Sequence, residues 1–395
     1  MRARTSSGMG IVTRVFGSQW FVSVLAVLIA FIIGAILIAL SGASVADAYY
    51  AMFRGSIVDP NAANAVRMIK PLTDSLFYSI PLIISGLGLA LGFRAGLFNI
   101  GGKGQIIVGA LAAVWVGFSV NLPPVLHTLV ALLVAIVAGG LYGGIAGVLK
   151  AKTGANEVIV TIMLNSIATL GLGYTLAQKA WQVPGTNQPV TPKVAESAAL
   201  ARLLPAPFKL HVGFLVALVA LVAFWWLIER STLGFQIRAV GANAAAARTA
   251  GISVERITAI TMVLSGAFLG IAGANEALGT IGYVSRDVAG SIGFDAITVA
   301  LLGRNKTWGT FGAGLLFGAF KAGGYTMQAK GVPIDMILIL QSVIVLLIAA
   351  PALVRWLFRL PDVRAFAANT PARAGQRPGG DRCPRVRGEH AKGER

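Results

Sequence analysis

The sequence predicts an all-α, polytopic membrane protein with about ten transmembrane helices, built as two inverted repeats with broken helices. Three observations lead there. Of the 395 residues, 56% are hydrophobic and only 12% charged, whereas a soluble domain needs about 25% charged residues to cover its surface. Apolar runs of about 20 residues, each long enough to cross ~30 Å of hydrocarbon, recur from end to end. The basic residues gather in alternate loops, as cytoplasmic segments do. The net charge of +18 therefore reports membrane orientation and not a nucleic-acid partner.

Residues 1–19 form a cytoplasmic N-terminal segment. The run from Trp20 to Leu40 is too long for a signal-peptide core and shows no cleavage site, so it is a retained span. Further spans are expected near 72–92, 105–119, 125–149, 157–177, 212–228, 257–279, 294–303, 308–328 and 334–354. With a cytoplasmic N-terminus, most of the 33 basic residues fall inside. These are Arg2, Arg4 and Arg14; Arg94 and Lys103; Lys150 and Lys152; Arg230, Arg238, Arg248 and Arg256; Arg304 and Lys306; and the cluster from Arg355 onward. Moving the parity by one span would reverse much of this bias, so both termini are placed in the cytoplasm at an inner membrane. Residues 20–355 form the transmembrane domain. The Pro/Gly/Arg-rich stretch 356–395 reads as a disordered basic tail that touches, at most, anionic lipid.

Two segments are broken. One is "GLFNIGGKGQ" (96–105), whose glycines and lysine suggest a phosphate loop. A P-loop would need glycine where Leu97 stands and a hydroxyl where Gly104 stands, so nucleotide binding fails. The other is "GFDAITVALLGRNKTWGTFGAG" (Gly293 to Gly314), cut by Gly303-Arg304-Asn305-Lys306. Each lies one span into a block of four (72–177 and 257–354), and the blocks begin on opposite sides of the membrane. Paired glycine interruptions in inverted halves point to a midplane pathway, although glycine also serves plain close packing.

Polar groups at membrane depth are costly and tend to face a cavity or a neighbouring helix. The pathway candidates are Asn99 and Gln105 beside the first break, Thr161 and Asn165 one turn apart on the fifth span, and Asn275, Glu276 and Asp295 towards the outer ends of the seventh and eighth. Interhelical hydrogen bonding is the plainer use for such residues. Few charges lie mid-span, which favours a neutral polar solute. The lone Cys383 and scattered His127, His211 and His390 offer no metal site, disulfide or nucleophile pair, so neither catalysis nor a cofactor is expected.

Between the sixth and seventh spans, the loop 229–256 carries Asn243 as a helix N-cap, a run of alanines from Ala244, and Gly251 as a stop. A short small-residue helix there suits docking into a partner's groove, or serves only as a connector. The outer loop from Lys179 to His211 is long and proline-bearing, as functional loops often are.

Four stretches, "GLFNIGGKGQIIVGALAAVWVG", "NEVIVTIMLNSIA", "GFQIRAVGANAAAARTAGI" and "GFDAITVALLGRNKTWGTFGAGLLFGA", resemble the permease subunits of ATP-binding-cassette importers of the ribose/branched-chain amino acid type. The branch for nucleosides and simple sugars looks nearest, and the likeness covers roughly 20–355. It implies a second permease subunit, identical or not, a separate ATPase, and an extracytoplasmic solute-binding protein. It also implies ATPase coupling through Arg238, Gly241, Asn243, Ala247, Arg248 and Gly251, with a nucleoside as first-choice solute and a simple sugar next. Two positions depart from the family pattern: Lys103, usually acidic, and Asn156, usually His. An ion-coupled secondary transporter is the alternative, but it would want buried mid-span carboxylates, and none is convincingly placed.

Overall fold

A computed structural model describes residues 19–333 and scattered positions from 336 to 347. The N-terminal segment before Gln19, most of the expected span 334–354 and the whole tail 356–395 lie outside the described residues. Residues Ala26–Ala350 form one compact unit. The described elements are helical: α1 (Gln19–Leu40), α2 (Val45–Ser56), α3 (Ala65–Arg94), α4 (Gly102–Ser119), α5 (Pro124–Thr153), α6 (Glu157–Ala177), α7 (Gly213–Arg230), α8 (Thr232–Ala242), α9 (Ala244–Thr249), α10 (Val254–Asn275), α11 (Ile292–Leu302) and α12 (Thr307–Gln328). A π-helical turn, Glu276–Ile281, continues α10.

Among the described residues six helices are long and apolar enough to cross a membrane: α3, α4, α5, α6, α7, and α10 with its π turn. Several exceed the expected spans. Helices α3 and α5 each run 30 residues, about 45 Å at 1.5 Å per residue, so both project beyond the hydrocarbon. Helix α11 has only 11 residues and is a half-span, as the interrupted sequence suggested. Helix α2 was not expected. Its Ser44 hydroxyl caps the Asp47 N–H, and its inner face packs on α12, where the Met52 carbonyl lies against Gly323.

The core forms because α10 comes close enough to touch the backbones of α4 and α5. A methyl group at Gly266 would lie 2.2 Å from the Gly139 carbonyl, at Gly270 2.2 Å from that of Ala135, and at Gly273 2.2 Å from that of Ile106. Positions 266, 270 and 273 recur every helical turn on one face, so the seam runs along the length of α10. Without a hydrophobic drive between helices in lipid, such small-residue contacts supply the packing. Outward faces carry lipid-compatible side chains such as Leu141, Leu170 and Val219, all well exposed.

Gly270→Val should abolish monodisperse yield in detergent, because the added carbons meet fixed backbone and not a movable side chain. Gly171→Ala, where nothing lies within 4 Å, should leave yield intact and raise helix stability by up to ~1 kcal/mol. Size-exclusion profiles and melting temperatures of the two variants check this.

Candidate functional site

The first break sits at the end of α3. Gly96, at φ +74°, closes that helix in a Schellman turn, with Gly96 N–H to Phe93 O and Leu97 N–H to Gly92 O. The backbone is then non-helical until α4 begins, and where it is buried its polar groups must find partners within the protein. Helix α6 supplies them from one face, at Glu157, Thr161 and Asn165. The Glu157 carboxylate, paired with Lys150 at 3.0 Å, lies beside the Phe98 backbone, and the Thr161 hydroxyl accepts Ile100 N–H at 3.3 Å. Asn165 Nδ2 donates to Ile100 O at 2.8 Å while its Oδ1 accepts Gly104 N–H at 2.8 Å. From the other side, Asn99 Oδ1 accepts Gly101 N–H, and Asn99 Nδ2 donates to Gln105 Oε1 and to Ser265 Oγ on α10.

Asn99, Gln105, Thr161 and Asn165 are thus brought together, and their polar atoms serve the broken backbone and one another. Glu157 completes this clasp and was missed from sequence. Its spacing of four residues from Thr161, which is four from Asn165, is the signal that could have found it. Asn156, one of the two departures, is the N-cap of α6 and accepts Val158 N–H at 2.9 Å.

The second break meets the first. A methyl group at Gly293, in the first turn of α11, would lie 2.5 Å from the Lys103 backbone nitrogen. Past α11 the chain turns through Arg304 and Asn305, both left-handed at φ 54° and 55°, a conformation that costs non-glycine residues about 1–3 kcal/mol each. Outward from this crossing, Glu276 and Asp295 lie within electrostatic reach of Lys321 on α12. Asp295 accepts the Ser291 hydroxyl at 2.6 Å, and Tyr78 and Tyr325 stack with ring centroids 5.3 Å apart beside Glu276. Asn275 is fully buried. The outer loop covers the π turn, with Leu200, Val194 and Thr191 N–H groups bonded to the carbonyls of Leu278, Gly282 and Val284.

The loop 229–256, expected in the cytoplasm, folds into α8 and α9. Asn243 Oδ1 caps Ala246 N–H at 3.1 Å. Gly251, at φ +82°, ends α9 in a second Schellman turn, with Gly251 N–H to Arg248 O and Ile252 N–H to Ala247 O. Cap and stop stand as expected. Ala247 does not face outward: it is buried against its own chain, whereas Ala244, Ala245 and Ala246 are exposed. A six-residue helix resting on the bundle must turn one side chain inward, and this is the one. Arg248 pairs with Glu255, and Arg238 Nη1 is buried without a protein partner. Between α8 and α9 runs a cleft of about 580 Å³ lined by Phe235, Gln236, Ala239, Ala246 and Ala250.

This element touches both breaks through one residue. A methyl group at Gly241 would lie 2.0 Å from the Arg94 carbonyl, and Arg94 Nε donates to Asn305 O at 2.8 Å. Arg94 therefore joins the end of α3, the end of α8 and the turn of the second break.

The family model described as "Branched-chain amino acid transport system / permease component" matches residues 72–349. The guanosine ABC transporter permease protein NupP of Bacillus subtilis is 39% identical, over 86% of this chain and 95% of its own. The glucose ABC transporter permease protein TsgB13 of Haloferax volcanii is 34% identical, over 82% and 85%. The nucleoside ABC transporter permease protein NupB of Lactococcus lactis is 30% identical, over 88% and 95%. No solved structure matches the chain.

Asn165→Ala should strand the Gly104 N–H and the Ile100 carbonyl, at about 1–3 kcal/mol for each unpaired group. The expected result is a lowered melting temperature together with faster thiol labelling of a cysteine placed at Phe98. Thr169→Val, on the same helix but bonded only to the Asn165 carbonyl, should change neither.

Proposed function

This chain belongs to the permease-component family of branched-chain amino acid transport systems, and we propose that it forms the pathway of an ATP-binding-cassette importer for a small neutral polar solute. A nucleoside is the first choice and a simple sugar the second, since relatives at 39% and 30% identity are named for guanosine and nucleoside and one at 34% for glucose. The observation that carries the reading is the Arg94 junction, which couples a cytoplasmic surface to both breaks in the membrane domain.

In this reading an ATPase seats in the cleft between α8 and α9. Its movement shifts α8, and Gly241 passes that shift to Arg94 by direct backbone contact. Arg94 then carries it to the first break along α3 and to the second through Asn305. The clasp residues Asn99, Gln105, Thr161 and Asn165 shape the pathway by holding the first break rigid. Glu276 and Asp295 line its outer part opposite Lys321. A second permease subunit, identical or not, completes the pathway in this reading. The outer loop 179–211 offers the docking face for a solute-binding protein, and both termini lie in the cytoplasm.

Reconstitution in proteoliposomes with its ATPase and binding protein tests the function. ATP-dependent uptake of guanosine, competed by other nucleosides, is expected, and uptake driven by an ion gradient without ATP would overturn the reading in favour of a secondary transporter. Ala246→Glu tests the coupling surface. Glutamate preserves the helix and the Asn243 cap uses only the backbone, but a charge enters a contact that must be desolvated. Co-purifying ATPase should fall at least tenfold with membrane insertion unchanged, and wild-type recovery would mean that the cleft is not the contact.

A further inference from the structure

At the outer end of α10, two side chains are buried with polar atoms that nothing in the protein satisfies. Asn275 is 0% exposed and His211 2% exposed, and Asn275 Oδ1, Asn275 Nδ2 and His211 Nε2 all lack partners. Their closeness is recorded at Gly213, where a methyl group would lie 2.3 Å from Asn275 Nδ2 and 2.5 Å from His211 Cε1. Gly279, in the π turn, bounds the same imidazole, with a methyl group there 2.7 Å from Nε2. Phe77 stacks edge-on against it at 5.5 Å. Two glycines and one aromatic ring therefore pack closely around two polar groups, and π-helical turns such as the one beside them recur at functional sites.

The chemistry of the three free atoms is defined. His211 Nδ1 accepts Gly213 N–H at 3.1 Å, so in the neutral ring the proton sits on Nε2 and points out as a donor. Burial keeps the ring neutral by pulling its pKa down to about 4. The Asn275 carboxamide offers one acceptor beside one donor, the complement of an N–H adjacent to a C=O.

We propose that Asn275 and His211 form an occluded station at the outer end of the pathway that takes the amide edge of a nucleobase. Asn275 pairs with the base N–H and its neighbouring carbonyl, and His211 Nε2–H donates to a further acceptor on the base. The station is closed in this conformation, and it opens when the π turn shifts under the outer loop that covers it. This rests on the nucleoside reading above and makes that preference chemical, since a simple sugar has no such edge.

The test compares inosine with 1-methylinosine, and uridine with 3-methyluridine, in the reconstituted complex. Wild-type KM should be at least tenfold lower for the unmethylated member of each pair. Asn275→Leu and His211→Met should raise KM for the unmethylated nucleosides about tenfold and leave the methylated ones nearly unchanged. The melting temperature of Asn275→Leu should match or exceed wild type, because the amide atoms removed have no partner in the folded chain, whereas His211→Met also strands the Gly213 N–H and should lower it slightly. His211→Gln, which keeps an N–H near Nε2, should retain most of the discrimination. Equal uptake of methylated and unmethylated nucleosides by the wild type overturns the station without touching the nucleoside reading. So does a fall in melting temperature with discrimination intact, the mark of a structural pair bridged by water. A wild-type complex that imports sugars and no nucleoside instead overturns the nucleoside reading itself.

Discussion

The constraint on which the rest depends is the backbone contact of α10 with α4 and α5. Three glycines one turn apart bring the helices together until carbonyl oxygens occupy the space of missing side chains. Attraction between helices in lipid comes mainly from packing and hydrogen bonds, so the absence of Cβ atoms there makes the association possible. It also fixes Ser265, on the same helix, where it can receive Asn99. The first break is thereby referenced to the most rigid part of the bundle.

A buried break between helices is an accounting problem, because each unpaired buried N–H or C=O costs about 1–3 kcal/mol. The chain answers it with a ladder of side chains on α6 and an amide pair, Asn99 with Gln105, on the break itself. That answer limits what those residues can do for a passing solute, since their donors and acceptors are already engaged. The outer groups differ. Asn275 and His211 keep polar atoms without a partner, and Glu276 and Asp295 lie within electrostatic reach of Lys321.

Hydropathy and glycine placement made the spans and both breaks legible, because each follows from local composition. The Asn243 cap and the Gly251 stop were equally local, and both stand in the structure. The inward turn of Ala247 was not legible: in a run of alanines no side chain marks the buried face, and only packing against the bundle decides it. Helix α2 was hidden because its 12 residues carry a mixed, half-polar face that reads as loop until α12 is beside it. The join of Arg94 to Asn305 spans 211 positions and leaves no trace in any short window. His211 looked scattered for the same reason, since its neighbours come from α3, α7, α10 and the π turn.

In the proposed mechanism the α8–α9 element and the first break move as one body, joined where Gly241 meets Arg94. Spin labels at Ala245 and Phe98, both exposed, measure this in the assembled complex by double electron–electron resonance. A third label at Leu203 on the outer loop reports the response outside. Between nucleotide-free and ATP-bound states the Ala245–Phe98 distance should stay within ~2 Å, the scale of a packed-helix adjustment, while Phe98–Leu203 changes by ~5 Å or more. An Ala245–Phe98 distance that shifts by ~5 Å while Phe98–Leu203 holds still would contradict it.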